Sequence, residues 1–195
     1  MTRVLAVNNY PTLERFEKLR NSLQDNGAKV TAIGWKDASA AKFNKFDGVA
    51  LSGSPDMLSK PTVQKKYKGE IDAITDAKVP ILGVCYGHQL IGLAFGSRVV
   101  EDRQHVLDFV RTRILADSPL FSGLSRSTML LESRHEVVQA LPPGFELLAR
   151  SETSQIAAMK HRTLPIYGIQ SHPERYSSEN PDGFKVMGNF VHSIG

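Results

Sequence analysis

One cysteine, Cys85, and one tryptophan, Trp35, occur in 195 residues. A single thiol excludes any internal disulfide. Met1-Thr2-Arg3-Val4 leads straight into a strand pattern with no secretory h-region, so the expected compartment is a reducing cytoplasm. No apolar run approaches the roughly 20 residues a membrane-spanning helix needs, and no membrane association is expected. Long runs of one charge are missing as well. The formal charge of +4 arises from 24 Lys and Arg interleaved with 20 Asp and Glu, which argues against a nucleic-acid partner despite a pI near 9.2. The densest basic cluster, Lys65-Lys66-Tyr67-Lys68, reads as a solvated helix face, with a protein-docking surface as the alternative. No Pro/Gly/Ser-rich linker, internal repeat or low-complexity stretch divides the chain. With 41% hydrophobic residues it is expected to form one domain over 1–195.

What is present is an alternation of periods. Arg3 to Val7 reads as a buried strand. Thr12 then caps a helical pattern carried by Leu13, Phe16, Leu19 and Leu23 and closed by Asn26-Gly27. Ala28 to Ile33 and Asp47 to Leu51 read as strands, Val63 to Ala77 as one helix, and Val79 to Leu82 as a strand running into a helix from Tyr86 to Phe95. Strands alternating with helices predict an α/β fold with an open, mostly parallel, doubly wound sheet of flavodoxin-like type. After Val99 the segments become shorter and richer in strand pattern. Val106 to Leu115, Thr128 to Leu131, Phe145 to Arg150, Gln155 to Met159 and Ile166 to Gln170 predict antiparallel additions. A closing helix follows Asn180-Pro181-Asp182-Gly183.

Cys85 sits in Gly83-Val84-Cys85-Tyr86-Gly87-His88-Gln89, directly after the apolar run ending at Leu82. A buried strand ending in G-x-C-x-G and turning at once into a helix has the layout of a nucleophile elbow. Its glycines permit a sharp turn that presents the side chain to a substrate. A lone cysteine is more often a small core residue. Here the helix beginning at Tyr86 would set a positive end beside a thiolate.

A catalytic thiol needs a base, and the base needs an orienting group. His172 follows the strand Ile166 to Gln170 in Ser171-His172-Pro173-Glu174. The loops after parallel strands converge on one sheet edge, so His172 can reach Cys85 and Glu174 can turn back to the imidazole. His88 is expected to pack or to wall the substrate. His105, His135, His161 and His192 lack metal-ligand spacing, so no metal site is expected. For a developing oxyanion, the backbone N–H of Tyr86 is one donor. The turn Ser52-Gly53-Ser54-Pro55 can present another from Gly53.

Three segments, L-S-G-S-P, G-V-C-Y-G-H-Q-L and Q-S-H-P-E, together resemble the signatures of class I, triad-type glutamine amidotransferases, and the resemblance covers nearly the whole chain. It implies a catalytic triad of Cys85, His172 and Glu174 that hydrolyses the side-chain amide of L-glutamine through a γ-glutamyl thioester. It also implies that Gln89, and backbone around Ser133, Arg134 and His135, hold the amino-acid end of the substrate. Leu141 to Phe145, Ala149 to Thr153, Ile156 to His161 and Leu164 to Gly168 are similar to the stand-alone glutaminase subunits of two-subunit, archaeal-type GMP synthases. That likeness implies that the partner is a separate ATP-pyrophosphatase subunit, in a heterodimer or higher complex. ATP and Mg²⁺ would belong to the partner, since the chain holds no S-G-G-x-D-S nucleotide motif, and no cofactor is expected here. Ser171, Ser54, Ser133 to Val137 and the opening Val7-Asn8-Asn9-Tyr10 depart from the family pattern without removing a triad member.

Two other readings stay open at this level. One is an independent γ-glutamyl hydrolase or peptidase, or the glutaminase subunit of another synthetase. The other is a non-catalytic flavodoxin-like regulatory module, although Val7 to Thr12 lacks a hydroxyl-rich phosphate loop.

Overall fold

The computed structural model describes residues 1–194. Its architecture follows from strands buried on both faces. In β1 (Arg3–Asn8), Val4 and Ala6 point to one side and Leu5 and Val7 to the other, and all four are buried. Successive side chains alternate across a strand, so such a run must be covered above and below. β3 (Gly48–Leu51) and β4 (Ile81–Val84) are buried throughout in the same way. On one side, Val4, Ala6, Ala50 and Leu82 share an apolar layer with Phe16, Leu19 and Leu23 of α1 (Leu13–Asp25) and with Val186 and Phe190 of α6 (Asp182–Ser193). On the other, Leu5, Val49, Leu51 and Ile81 share a layer with Phe43 of α2 (Ala40–Phe43), Ile74 of α4 (Lys68–Asp76), and Leu90 and Ile91 of α5 (Tyr86–Ala94).

The nine-stranded sheet has the order β2-β1-β3-β4-β9-β8-β7-β5-β6. From β2 (Lys29–Gly34) through β9 (Ile166–Ile169) every pairing is parallel. Beyond β9 the pairings are antiparallel, through β8 (Ala158–His161), β7 (Phe145–Ser151), β5 (Val99–Ile114) and β6 (Ser127–Val138). The α/β doubly wound half and its antiparallel extension are both present, and β9 is the strand at which one becomes the other.

Three boundaries differ from expectation. The continuous helix expected from Val63 to Ala77 is instead α3 (Pro61–Lys66) and α4, separated at Tyr67 with φ −96° and ψ 11°. The break lets the Tyr67 ring bury itself between Trp35 and Tyr86, with centroids 4.7 and 5.1 Å away, while its hydroxyl donates to Asp56 at 2.9 Å. The segments Val106 to Leu115 and Thr128 to Leu131 belong to two much longer strands, β5 and β6, paired from Val99↔Val138 to Arg113↔Ser127 with an irregularity between Glu101 and Val106. Their extension is hidden in the sequence because the buried face of β6 carries Glu132, Arg134 and Glu136 instead of apolar residues. β8 lies at Ala158–His161, later than the Gln155 to Met159 expected, because its pairing with β7 shifts register between Leu147 and Ala149.

Candidate active site

β4 runs up the middle of the sheet between β3 and β9, and the carboxyl ends of these three strands meet at one place. Cys85 terminates β4 with φ 51° and ψ −98°, the one non-glycine positive φ among the described residues. That conformation is strained for any residue with a Cβ. It is held in place from both sides. The Cys85 N–H donates to the Ile169 carbonyl at 2.8 Å, and the Cys85 carbonyl accepts from the Gln89 N–H at 3.1 Å. α5 can begin this close to the sheet because a Cβ on Gly87 would stand 2.6 Å from the Leu51 carbonyl oxygen, so only hydrogen fits there.

β9 delivers the second group. After Ile169 the chain crosses Gln170 and Ser171, and His172 is fixed by its N–H, which donates to the Leu131 carbonyl of β6 at 2.6 Å. A short turn, Pro173–Arg175, folds Glu174 back so that its Oε1 lies 2.7 Å from His172 Nδ1, with both side chains buried. Burial opposes a charge on His172. The neighbouring Cys85 and Glu174 outweigh it, and the imidazole is pushed upward to favour its protonated form. A protonated imidazole between the Cys85 sulfur and the Glu174 carboxyl is the arrangement that such a balance favours.

The end of β3 delivers the third. The N–H groups of Gly53 and Tyr86 have no acceptor among the described residues, which leaves both free for a ligand oxygen. Gly53 is supported from behind by residues that sequence reasoning passed over. Ser52 Oγ accepts from the Asn9 N–H at 2.9 Å and donates to the Gly53 carbonyl at 2.9 Å. Asn9 Nδ2 in turn donates to Glu70 Oε1 at 3.1 Å. Burial raises the Glu70 carboxyl to about 8, against the opposing bond from Asn9. Tyr10 was missed as well. Its phenol is pushed upward by burial first, then by Glu174 and Cys85, which places it against the same group of residues. Nothing in the spacing of Val7-Asn8-Asn9-Tyr10 marks these roles, because they depend on β1 lying beside β3.

A cavity of about 130 Å³ opens onto Cys85 and is lined also by Arg15, Ser54, Gln89 and Ser133. The Ser133 carbonyl accepts from Cys85 Sγ at 3.6 Å, and Gln170 Nε2 donates to the sulfur at 3.7 Å. Gln89 spends its amide N–H groups on the Glu136 carbonyl at 2.8 Å and Gln170 Oε1 at 3.4 Å, so its own Oε1 is what it can offer a ligand. Glu136 uses both carboxylate oxygens to hold the Leu58 and Ser59 N–H groups, at 2.7 and 2.8 Å, and so pins the loop that forms one cavity wall. The Arg134 side chain turns away into a buried cluster. It pairs with Glu132 at 2.8 Å, with Asp102, and with the Thr153 carbonyl, so only its backbone borders the cavity. His135 is exposed and stacks edge-on against His105, with centroids 4.2 Å apart. His88 is fully buried against Gly168, and burial lowers it to about 3, so it packs as a neutral ring. Among the described residues there is no cluster of three or more candidate metal ligands, and no helix is long and apolar enough to cross a membrane.

Placed together are a strained thiol, a carboxylate-oriented imidazole and two free N–H groups, which is what acyl transfer through a covalent intermediate requires. Comparison with known proteins points the same way. Residues 6–193 match the family described as glutamine amidotransferase class-I. A glutamine-hydrolyzing GMP synthase subunit of Thermococcus kodakarensis is 40% identical over 158 residues, 79% of each chain. The protein of the same name from Archaeoglobus fulgidus is 32% identical over 173 residues, 89% of each. Among solved structures, one described as a candidate GMP synthase subunit from Thermoplasma acidophilum superposes with a TM-score of 0.83 at 26% identity, covering 99% of this chain and 95% of that one. A glutamine amidotransferase from Thermotoga maritima shares the fold, with a TM-score of 0.82 at 14% identity over 99% and 97% of the two chains. The chain belongs to the class I glutamine amidotransferase family.

Proposed function

We propose that this protein hydrolyses L-glutamine to glutamate and ammonia and passes the ammonia to a separate synthetase subunit, the ATP-pyrophosphatase subunit of a GMP synthase. The observation that carries the hydrolytic reading is Cys85, strained at φ 51° at a strand end and beside the His172–Glu174 pair. Cys85 adds as a thiolate to the side-chain carbonyl carbon of glutamine, its proton residing on His172. The oxygen that gains charge accepts hydrogen bonds from the Gly53 and Tyr86 N–H groups. His172 gives its proton to the amide nitrogen, the C–N bond breaks and ammonia leaves, with a γ-glutamyl thioester on Cys85. Water then adds to the thioester as His172 takes its proton. The C–S bond breaks, glutamate departs, and the thiolate–imidazolium pair is restored. Glu174 orients His172 throughout. Gln89 and the backbone of Ser133, Arg134 and His135 hold the amino-acid end.

The acceptor is supported by the curated relatives, which are named as glutamine-hydrolyzing subunits of GMP synthase and match along most of their own length. In this reading ATP and Mg²⁺ act on the partner subunit, and the complex is a heterodimer or larger. The test is glutamate release by the purified chain, alone and with an archaeal-type ATP-pyrophosphatase subunit, ATP, Mg²⁺ and XMP. Strong stimulation with GMP formation is the expected result. Steady hydrolysis indifferent to the partner would instead assign an independent γ-glutamyl hydrolase.

A further inference from the structure

We propose that Arg15 is the counter-ion for the α-carboxylate of the substrate, a specificity-determining residue that restricts the site to a free amino-acid amide. The inference rests on the glutaminase reading and adds to it a residue outside the three family segments. Its basis is the charge balance of the cavity that opens onto Cys85. Three other charged residues line that cavity, Arg134, Asp56 and Glu136, and the side chain of each is already paired or hydrogen-bonded within the chain. Arg134 is held by Glu132 and Asp102. Asp56 is held by Lys66 and by the Tyr67 hydroxyl. Glu136 accepts two backbone N–H groups.

Arg15 lines the same cavity and has no acidic partner among the described residues. The nearest acid on its own helix with a defined partner, Glu17, is committed to Arg20. Arg15 also bears on Tyr10, where its charge works weakly against the upward push of burial on the phenol, so that charge is felt at the wall beside Gly53. A guanidinium without an internal counter-charge, lining the cavity that opens onto Cys85, favours an anionic group presented to it. Glutamine supplies one, because its α-carboxylate is the sole anion of the molecule and lies at the opposite end from the amide that Cys85 attacks.

The test compares Arg15→Ala and Arg15→Lys with the unsubstituted protein, assayed for glutamate release in the presence of the synthetase subunit. Cys85 alkylation by iodoacetate, an anion, is compared in parallel with alkylation by the neutral iodoacetamide. Arg15→Ala is expected to raise KM for glutamine about tenfold with kcat within twofold, and to lower the iodoacetate-to-iodoacetamide rate ratio several-fold. Arg15→Lys is expected to recover most of both. Arg15 is exposed and its side chain makes no hydrogen bond or ion pair among the described residues, so neither change is expected to disturb the fold. An Arg15→Ala protein with unchanged KM and an unchanged alkylation ratio overturns the assignment of Arg15 while leaving the glutaminase reading intact. Absence of glutamate release from the unsubstituted protein, with an Arg15-dependent alkylation ratio, would overturn the glutaminase reading instead.

Discussion

Gly53 and His172 are packed with no room for a side chain between them: a Cβ on Gly53 would stand 2.9 Å from the imidazole Cε1. The same Cβ would lie 2.9 Å from Tyr10 Cζ and closer still to its hydroxyl. The backbone that presents one free N–H therefore lies too close to the proposed base to carry a side chain without a shift of one ring. Both rings are buried.

Gly53→Ala should lower kcat for glutamate release by about 10²–10³-fold, the scale of losing one oxyanion donor. The melting temperature should change by only a few degrees. Combining it with Tyr10→Phe removes one of the colliding atoms and should recover part of the loss. Strictly additive effects of the two changes would show that crowding at this wall is not the cause.

Cys85→Ala and Cys85→Gly should both abolish glutamate release, while differing in stability. Glycine relieves a backbone conformation that costs about 1–3 kcal/mol for a residue with a Cβ, offset by roughly 0.5–1 kcal/mol of extra freedom in the unfolded chain. Thermal melts should place Cys85→Gly above Cys85→Ala by a few degrees. The reverse order would show that the elbow stores no strain.

Glu174→Gln keeps an acceptor near His172 Nδ1 and removes the negative charge that favours the imidazolium. Turnover should fall by about 10²–10⁴-fold and remain above that of Cys85→Ala. A loss equal to that of the cysteine variant would give Glu174 a direct part in proton transfer.

Glu70 titrates near 8 in the folded protein against about 4.5 when exposed, and burial is the main cause. The folded state therefore binds the more protons between these values, and stability must fall as pH rises through that window. Glu70→Gln removes the titration while keeping an acceptor for Asn9. The two proteins should melt together near pH 5, and Glu70→Gln should melt several degrees higher at pH 8. A constant difference across the pH range would mean that Glu70 is ionised in the folded state.

The parallel half of the fold is legible because its strands are apolar throughout and its helices keep a clean 3.6-residue spacing. The elbow is equally legible, since Gly83, Cys85 and Gly87 combine a strand end, a thiol and a helix start within five residues. The remainder is encoded differently. Tyr67 breaks a helix through one buried ring, which periodicity cannot register. β6 hides its second half because Glu132, Arg134 and Glu136 are buried with polar partners: Glu132 accepts from Ser151 at 2.6 Å and from Thr153 at 2.8 Å in addition to Arg134. Polar residues on an inward face erase the alternation by which a strand is recognised. Asn9, Tyr10, Ser52 and Glu70 meet at the site only because β1 and β3 are neighbours, a relation that no local motif carries.

The pairing of β4 with β9 joins Ile81 to Ile166 and Val84 to Ile169 across nearly half the length of the chain. A contact so distant in sequence cannot form before both strands have been synthesised. In the proposed mechanism, a polypeptide emerging from the ribosome therefore displays its nucleophile well before it possesses the imidazole, and cannot cleave an amide in the interval. Ammonia, which diffuses away unless it is captured, can be liberated only by a molecule whose synthesis has passed residue 174.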